Sequence, residues 1–332
     1  MRHGGARRRR GFNVVALVVG VVALAILVDR LGWSGIEDAV VGVGSWFIVM
    51  AAIDLASVFC DAGGVYCFVR PLAPISYFRV FAAQASGLAI NRLTPGNSLG
   101  EPIKVTMLMA HVPEAAAVSS IVMFNFASYI VAMTAIVIGV PLTLMLLDLP
   151  SRAEVAVLIA TAVMLGIVIG LVVLARRGAL ATSIRAVRHL RVISAARAAR
   201  WETRMAEIDA NVRRFGDAST RRALVFVIAS RLLNMAGSVV ILVAAGIPLT
   251  AQLVIGMLSV GILITWISNV IPLGLGVADG GNYLLYGVLG ASRDAGLDFT
   301  MINRVRTCVL AVMGLTVMAI ANFAERSRRA DH

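Results

Sequence analysis

Charged and amide side chains interrupt stretches that are otherwise apolar, and their types and spacing suit the holding of a phosphate. Asn91 and Arg92 precede Leu93-Thr94-Pro95-Gly96-Asn97-Ser98-Leu99-Gly100, and Glu101 and Lys104 follow it. Pro95, Gly96 and Gly100 break a helix, and the half-helix that restarts beyond them opens with unpaired backbone N–H groups. Together with Arg92 and Lys104, those donors would form a positive, donor-rich pocket suited to phosphate. A structural reading competes. Ser98-Leu99-Gly100-Glu101 has the spacing of a capping box, in which Glu101 bonds back to its own helix start. The roles are compatible, since capping occupies one donor among several.

A second break, Pro272-Leu273-Gly274-Leu275-Gly276, is followed by Asp279, which either caps the half-helix through Tyr283 and Leu285 or faces a substrate. Three further faces carry polar groups at helical spacing. They are Asp54, Ser57 and Asp61; Arg231, Asn234 and Ser238; and Thr300, Asn303, Arg304 and Thr307. A charge at a bilayer centre costs ~2.5–3.5 kcal/mol on insertion scales, so such groups face a polar path or one another. Pairing between helices, Asp54 with Arg231 for example, needs no substrate. Asp61 and Arg304 are close enough to an interface to snorkel.

The elements that position these residues follow from composition. Of the 332 residues, 59% are hydrophobic and 14% charged, against roughly half and a quarter in a soluble domain. One globule of this size cannot hide that excess, so the solvent is a bilayer. Apolar runs near 20 residues predict spanning helices at about 12–28, 43–69, 115–140, 154–175, 223–246 and 300–324. Residues 79–110 and 251–291 are split by Pro and Gly into halves too short to cross comfortably, and read as re-entrant half-helix pairs. The fold class expected is all-α and polytopic, about six spanning helices plus two re-entrant pairs.

The 30 basic residues, all Arg except Lys104, orient this layout. With the N-terminus inside, 22 fall on cytoplasmic segments, three on external loops (Arg30, Arg152 and Arg293), and five lie within embedded stretches. The positive-inside rule favours cytoplasmic N- and C-termini. Helix 43–69, the first pair and helix 115–140 then run opposite to helix 223–246, the second pair and helix 300–324. The expected organisation is one transmembrane domain over 1–332, with repeat 1 at about 43–140 inverted relative to repeat 2 at about 223–324, as in many secondary transporters. Between them, residues 176–222 hold twelve Arg, with apolar residues at helical spacing and Trp201 as an anchor. This segment reads either as a connector that fixes topology or as amphipathic helices on the anionic inner leaflet.

Other classes are excluded. Net charge is +12, but a basic chain this apolar does not read as a nucleic-acid binder. Cys60, Cys67 and Cys308 are too scattered for a disulfide framework and read as packing residues. His3, His111, His189 and His332 have no metal-ligand spacing, so neither metal nor cofactor is expected. Arg7-Arg8-Arg9-Arg10 before Phe12–Val28 reads as an uncleaved signal anchor, because Asp29-Arg30-Leu31 stands where a small-residue cleavage site would. No nucleotide-binding motif, clustered Asp motif, His-acid pair or nucleophile elbow occurs, so no enzyme activity is expected.

At its two breaks the chain resembles the flippase-like transmembrane domain of lysylphosphatidylglycerol synthases, over about residues 12–324. The first motif is carried by Asn91, Pro95, Gly96, Gly100 and Glu101, with Lys104 where the family pattern has Arg. The second is carried by Pro272, Gly274, Gly276, Val277 and Asp279, followed by Arg304. Asp279 stands where the pattern has Glu, and no stretch of domain size follows Glu325, so lysyl transfer to a lipid is not expected. The resemblance implies a bacterial inner-membrane protein that moves a phospholipid or lipid-linked headgroup between leaflets. In that role Arg92 and Lys104 would hold phosphate, Arg231 and Arg304 would be the next basic stations, and Asp54, Asn234, Glu101 and Asp279 would line the path. Two alternatives stay open: an enzyme acting on lipid, and a scaffold that recruits a lipid-synthesis enzyme without transporting anything itself.

Overall fold

A computed structural model describes residues 2–94, 99–146, 151–176, 206, 210–211, 217–268 and 276–330. Among them are eleven helices and no strand: α1 (Arg2–Leu31), α2 (Trp33–Val43), α3 (Trp46–Val69), α4 (Tyr77–Leu93), α5 (Gly100–Leu108), α6 (Glu114–Leu146), α7 (Ser151–Arg176), α8 (Ala218–Ala244), α9 (Ala251–Ser268), α10 (Val277–Val288) and α11 (Arg293–Ala330). Gly32 and Gly44, at φ +73° and +58°, separate α1 from α2 and α2 from α3, conformations that only glycine adopts freely. The chain is an all-α multi-pass membrane protein.

Six described helices are long and apolar enough to cross a bilayer: Gly11–Leu31, Trp46–Val69, Glu114–Leu146, Ala218–Ala244, Ala251–Ser268 and Arg293–Ala324. Five coincide with expected spans. The sixth, α9, is the first half of the second split stretch, and by length and composition it too could cross. Its 18 uninterrupted residues reach about 27 Å at 1.5 Å per residue, close to the ~30 Å hydrocarbon thickness. The expected span at 154–175 lies in α7, whose described apolar stretch is Glu154–Gly170. Most of the 176–222 segment, including Trp201, lies outside the described residues.

The described halves of each split stretch pack antiparallel, as a hairpin would place them. In the first, α4 packs along α5 with Gly87 against Gly100 and the Lys104 side chain. In the second, α9 packs along α10, with Gly256 against Leu289 and Gly281 against Ile264. Each hairpin also leans on a long helix distant in sequence, α4 on α11 and α9 on α6. Small residues permit this. A Cβ at Gly314 of α11 would lie 2.5 Å from the Ala85 carbonyl oxygen of α4, and one at Gly139 of α6 would lie 2.6 Å from the Ser259 Cβ of α9. The closest long pairing is α3 with α8, where Gly63 and Gly64 accept the Phe226 ring and Val227. Apolar residues cannot drive such association in lipid, so close backbone approach and interhelical hydrogen bonds carry it.

The outward side chains are apolar too. Val155, Leu158, Ile159, Val163 and Ile167 of α7 are exposed, as are Val15, Val18 and Val22 of α1. These faces suit acyl chains.

Overpacking a core costs about 1–3 kcal/mol. Gly314→Leu should therefore lower the unfolding midpoint in detergent. Gly166→Leu should not, because a Cβ at Gly166 meets nothing within 4 Å. Circular dichroism melts of the two variants check this.

Candidate functional site

The polar faces of α3 and α8 meet. The Asn234 amide donates to Ser57 Oγ at 2.6 Å and to the Ser230 carbonyl at 2.9 Å, while Ser57 and Ser230 hydroxyls lie 3.0 Å apart. The antiparallel register sets Arg231 opposite Asp61, with Nη2 3.2 Å from Oδ1. Two turns along α3, at the level of Asp54, α8 presents Gly237 instead of a side chain. Through that gap the Arg306 guanidinium of α11 reaches Asp54, its Nε donating to Oδ2 at 2.7 Å and its Nη2 contacting Oδ1. A Cβ at Gly237 would lie 2.7 Å from Arg306 Nη2. Asp54 and Arg306 are 3% and 5% exposed.

The expected pairing of Asp54 with Arg231 is thus corrected. Arg231 belongs to Asp61, and Asp54 belongs to Arg306, which the motif reading passed over. Arg306 lies two positions beyond Arg304 and so off the Thr300–Asn303–Arg304–Thr307 face. Two embedded acids on one stripe of α3, each needing a cation, were the available signal.

Arg92 completes this group from α4. Its guanidinium lies in the field of Arg306, Asp54, Arg231 and Asp61. Among the described residues it makes no ion pair, and Arg231 Nε, though buried, has no hydrogen-bond acceptor. Three guanidiniums against two carboxylates leave the cluster with one net positive charge. In a low-dielectric setting an unpaired cation is expensive, so this cluster is suited to an anion.

Each hairpin adds a clasp of its own. In the first, Glu101 sits in the opening turn of α5. Its Oε1 accepts from Lys104 Nζ at 2.8 Å and Asn91 Nδ2 at 3.0 Å, and its Oε2 accepts from Asn125 Nδ2 of α6 at 3.0 Å. Asn91 Oδ1 also accepts from the Gly100 N–H at 2.7 Å, spanning the helix break. Helix α5 has Leu99 at its N-cap and no side-chain cap. Among the described residues, the Glu101 carboxylate is thus held by side chains of three helices, while Ser98, the other end of the expected capping box, lies outside them. Lys104, 3% exposed, lies over the Phe124 ring, so its charge belongs to Glu101.

In the second hairpin, Asp279 caps its half-helix as foreseen and also holds a cation. Its Oδ2 accepts from the Gly276 N–H at 3.0 Å, capping the start of α10, and from Arg304 Nη2 at 2.7 Å. Asn282 donates to Thr300 Oγ1 at 2.9 Å beside it. Sequence reasoning did not foresee Asn125, a lone amide within the long apolar α6, or Asn282 of the short α10. Pro95, Gly96, Pro272 and Gly274 lie outside the described residues. Asn91 adjoins Arg92, and Arg304 stands two positions from Arg306, so the central cluster lies between the two clasps along α4 and α11.

An all-helical bundle with ion pairs and amides at its centre defines a multi-pass membrane protein built around a polar, net-positive interior. Residues 13–314 match the lysylphosphatidylglycerol synthase TM region family, and the chain belongs to it. The family ties the chain to membrane-lipid function. No curated protein and no solved structure matches the chain.

Breaking one partner of a buried ion pair costs about 3–5 kcal/mol, whereas replacing both with apolar or neutral groups costs far less. Asp54→Asn or Arg306→Met alone should therefore be strongly destabilising, and the double variant should recover much of the loss. Unfolding midpoints of the four proteins form the cycle. Strictly additive losses would show that the two side chains do not interact.

Proposed function

We propose that the chain is a lipid flippase of the bacterial inner membrane. On this reading it carries the anionic headgroup of a phospholipid or lipid-linked sugar between leaflets and makes no chemical change to it. The observation that carries the reading is the central cluster of Arg92, Arg231, Arg306, Asp54 and Asp61, in which Arg92 has no carboxylate partner among the described residues. A phosphodiester, with one negative charge and two outer oxygens, complements the one uncompensated charge and the spare donors of Arg92 and Arg231. The apolar outer faces would let acyl chains stay in the bilayer while the headgroup crosses.

Supporting this, the two hairpins are packed alike, each against the long helix that closes the other half. Each has an acid in the first turn of its second helix, paired with a cation. That arrangement fits opposed repeats around a shared midplane site. The Arg distribution favours both termini in the cytoplasm, with residues 176–222 on the anionic inner leaflet. A lipid-synthesis enzyme in the same membrane would be the natural supplier of substrate.

The test is scrambling or transport of fluorescent phosphatidylglycerol in vesicles of phosphatidylcholine. Losing one charge-assisted contact of about 1.5–3 kcal/mol should slow Arg92→Gln by roughly tenfold or more. The unfolding midpoint should hold, because Arg92 anchors no ion pair. Wild-type rates in Arg92→Gln, or no movement above protein-free vesicles, would overturn the reading.

A further inference from the structure

Glu101 and Lys104 form an unequal pair. The Glu101 side chain is 32% exposed, while that of Lys104 is 4% exposed and packed between the Phe124 ring and Gly87. Three helices pack on α5, and the groups they turn toward Glu101 are few. Helix α4 brings Asn91, with Arg92 next in the chain. Helix α6 brings Asn125 and, farther off, Tyr129, which lies in the field of the carboxylate. Helix α1 brings Asn13, whose amide oxygen accepts from Thr106 and not from Glu101. Lys104 is thus the one cation within hydrogen-bonding distance of Glu101 among the described residues, and Glu101 is the only acid on Lys104.

A partly exposed carboxylate and a buried ammonium that hold each other have linked occupancies. Were Glu101 protonated alone, Lys104 would be left as a buried, unpaired ammonium, at a cost of several kcal/mol. Were an anion to take Lys104 alone, Glu101 would lose its counter-ion and gain affinity for a proton. Each event lowers the cost of the other, and by linkage both couplings have the same size. Resting on the transport reading above, we propose that the chain couples the anionic headgroup to a proton, with Glu101 as the proton acceptor and Lys104 as the cation its protonation releases to the headgroup.

The charge balance closes. One proton adds to a Glu101 oxygen, the Glu101–Lys104 ion pair is exchanged for a headgroup–Lys104 pair, and the embedded net charge stays constant. Asn125 can serve both forms, because a flipped carboxamide offers Oδ1 to the carboxyl O–H. Asn91 passes the change on. It bridges Glu101 and the Gly100 N–H across the helix break, and it adjoins the Arg92 of the central cluster.

Purified protein in phosphatidylcholine vesicles, with a trace of fluorescent phosphatidylglycerol, tests this. For one proton per lipid, a one-unit pH gradient should drive about tenfold enrichment of the probe in the leaflet on the alkaline side. A pH dye inside the vesicles should report proton entry that depends on the lipid. Glu101→Gln should equilibrate the probe without enrichment, and Glu101→Asp should restore enrichment. If Glu101→Gln fails to fold because Lys104 is stranded, the dye signal of the wild type decides instead, since proton entry should appear with the labelled lipid and vanish when that lipid is left out. Lipid movement that ignores the gradient or brings no proton with it in the wild type, or enrichment surviving in Glu101→Gln, would overturn proton coupling and leave the flippase reading standing. Absence of lipid movement under every condition would remove both.

Discussion

The Asp54–Arg306 ion pair is the constraint around which the bundle is arranged. A carboxylate on α3 and a guanidinium on α11 are both buried among apolar helices, where neither could stay ionised and unpaired. Their meeting requires α8 to stand aside at one position, which Gly237 does. The same register then places Arg231 opposite Asp61 and lets Ser57, Ser230 and Asn234 bond across the α3–α8 seam. With α11 fixed by its arginine, α4 is fixed too, because Gly314 admits the α4 backbone at the Ala85 turn. Arg92 is delivered to the cluster as a result.

The hairpins obey the same rule by shorter means. Each begins its second helix with an acid, and each acid is held by a cation and a polar group nearby. Glu101 draws on three helices, so it fixes α4, α5 and α6 relative to one another. Among the described residues Asp279 draws on α10 and α11, and it spends part of its capacity capping its own helix. The first clasp is therefore a knot in the tertiary structure, whereas the second is closer to a local fastening.

Much of this was legible in the sequence. Apolar length alone marked the membrane class and five of the six spans, and periodicity placed Asp54, Ser57, Asp61, Arg231 and Asn234 on facing stripes. Charge paired with its partner was harder to read, because which acid meets which arginine depends on the axial register of two helices. That register is set by Gly63, Gly64 and Gly237, residues with no chemistry of their own. Arg306 escaped for the same reason, since a glycine on another helix makes its place. Helix α9 has the apolar length of a span as well as a place in the second split stretch, because Pro272 and the glycines beyond it follow the helix and do not interrupt it. The capping-box spacing at Ser98–Glu101 was real as a pattern. In the folded chain the side chains of Asn91, Lys104 and Asn125 hold the Glu101 oxygens, and Ser98 lies outside the described residues.

One detail of the first clasp has a use beyond the clasp. Lys104 is the sole lysine among 332 residues, and its ammonium is buried against Phe124. Acylating reagents need an accessible neutral amine, which guanidinium groups do not supply at ordinary pH. Apart from the chain's own N-terminus, then, this protein has one site open to such chemistry, and it is shut while Glu101 holds it. Nature has left a single-residue reporter in the interior, whose labelling rate would read the opening of that hairpin in unmodified protein.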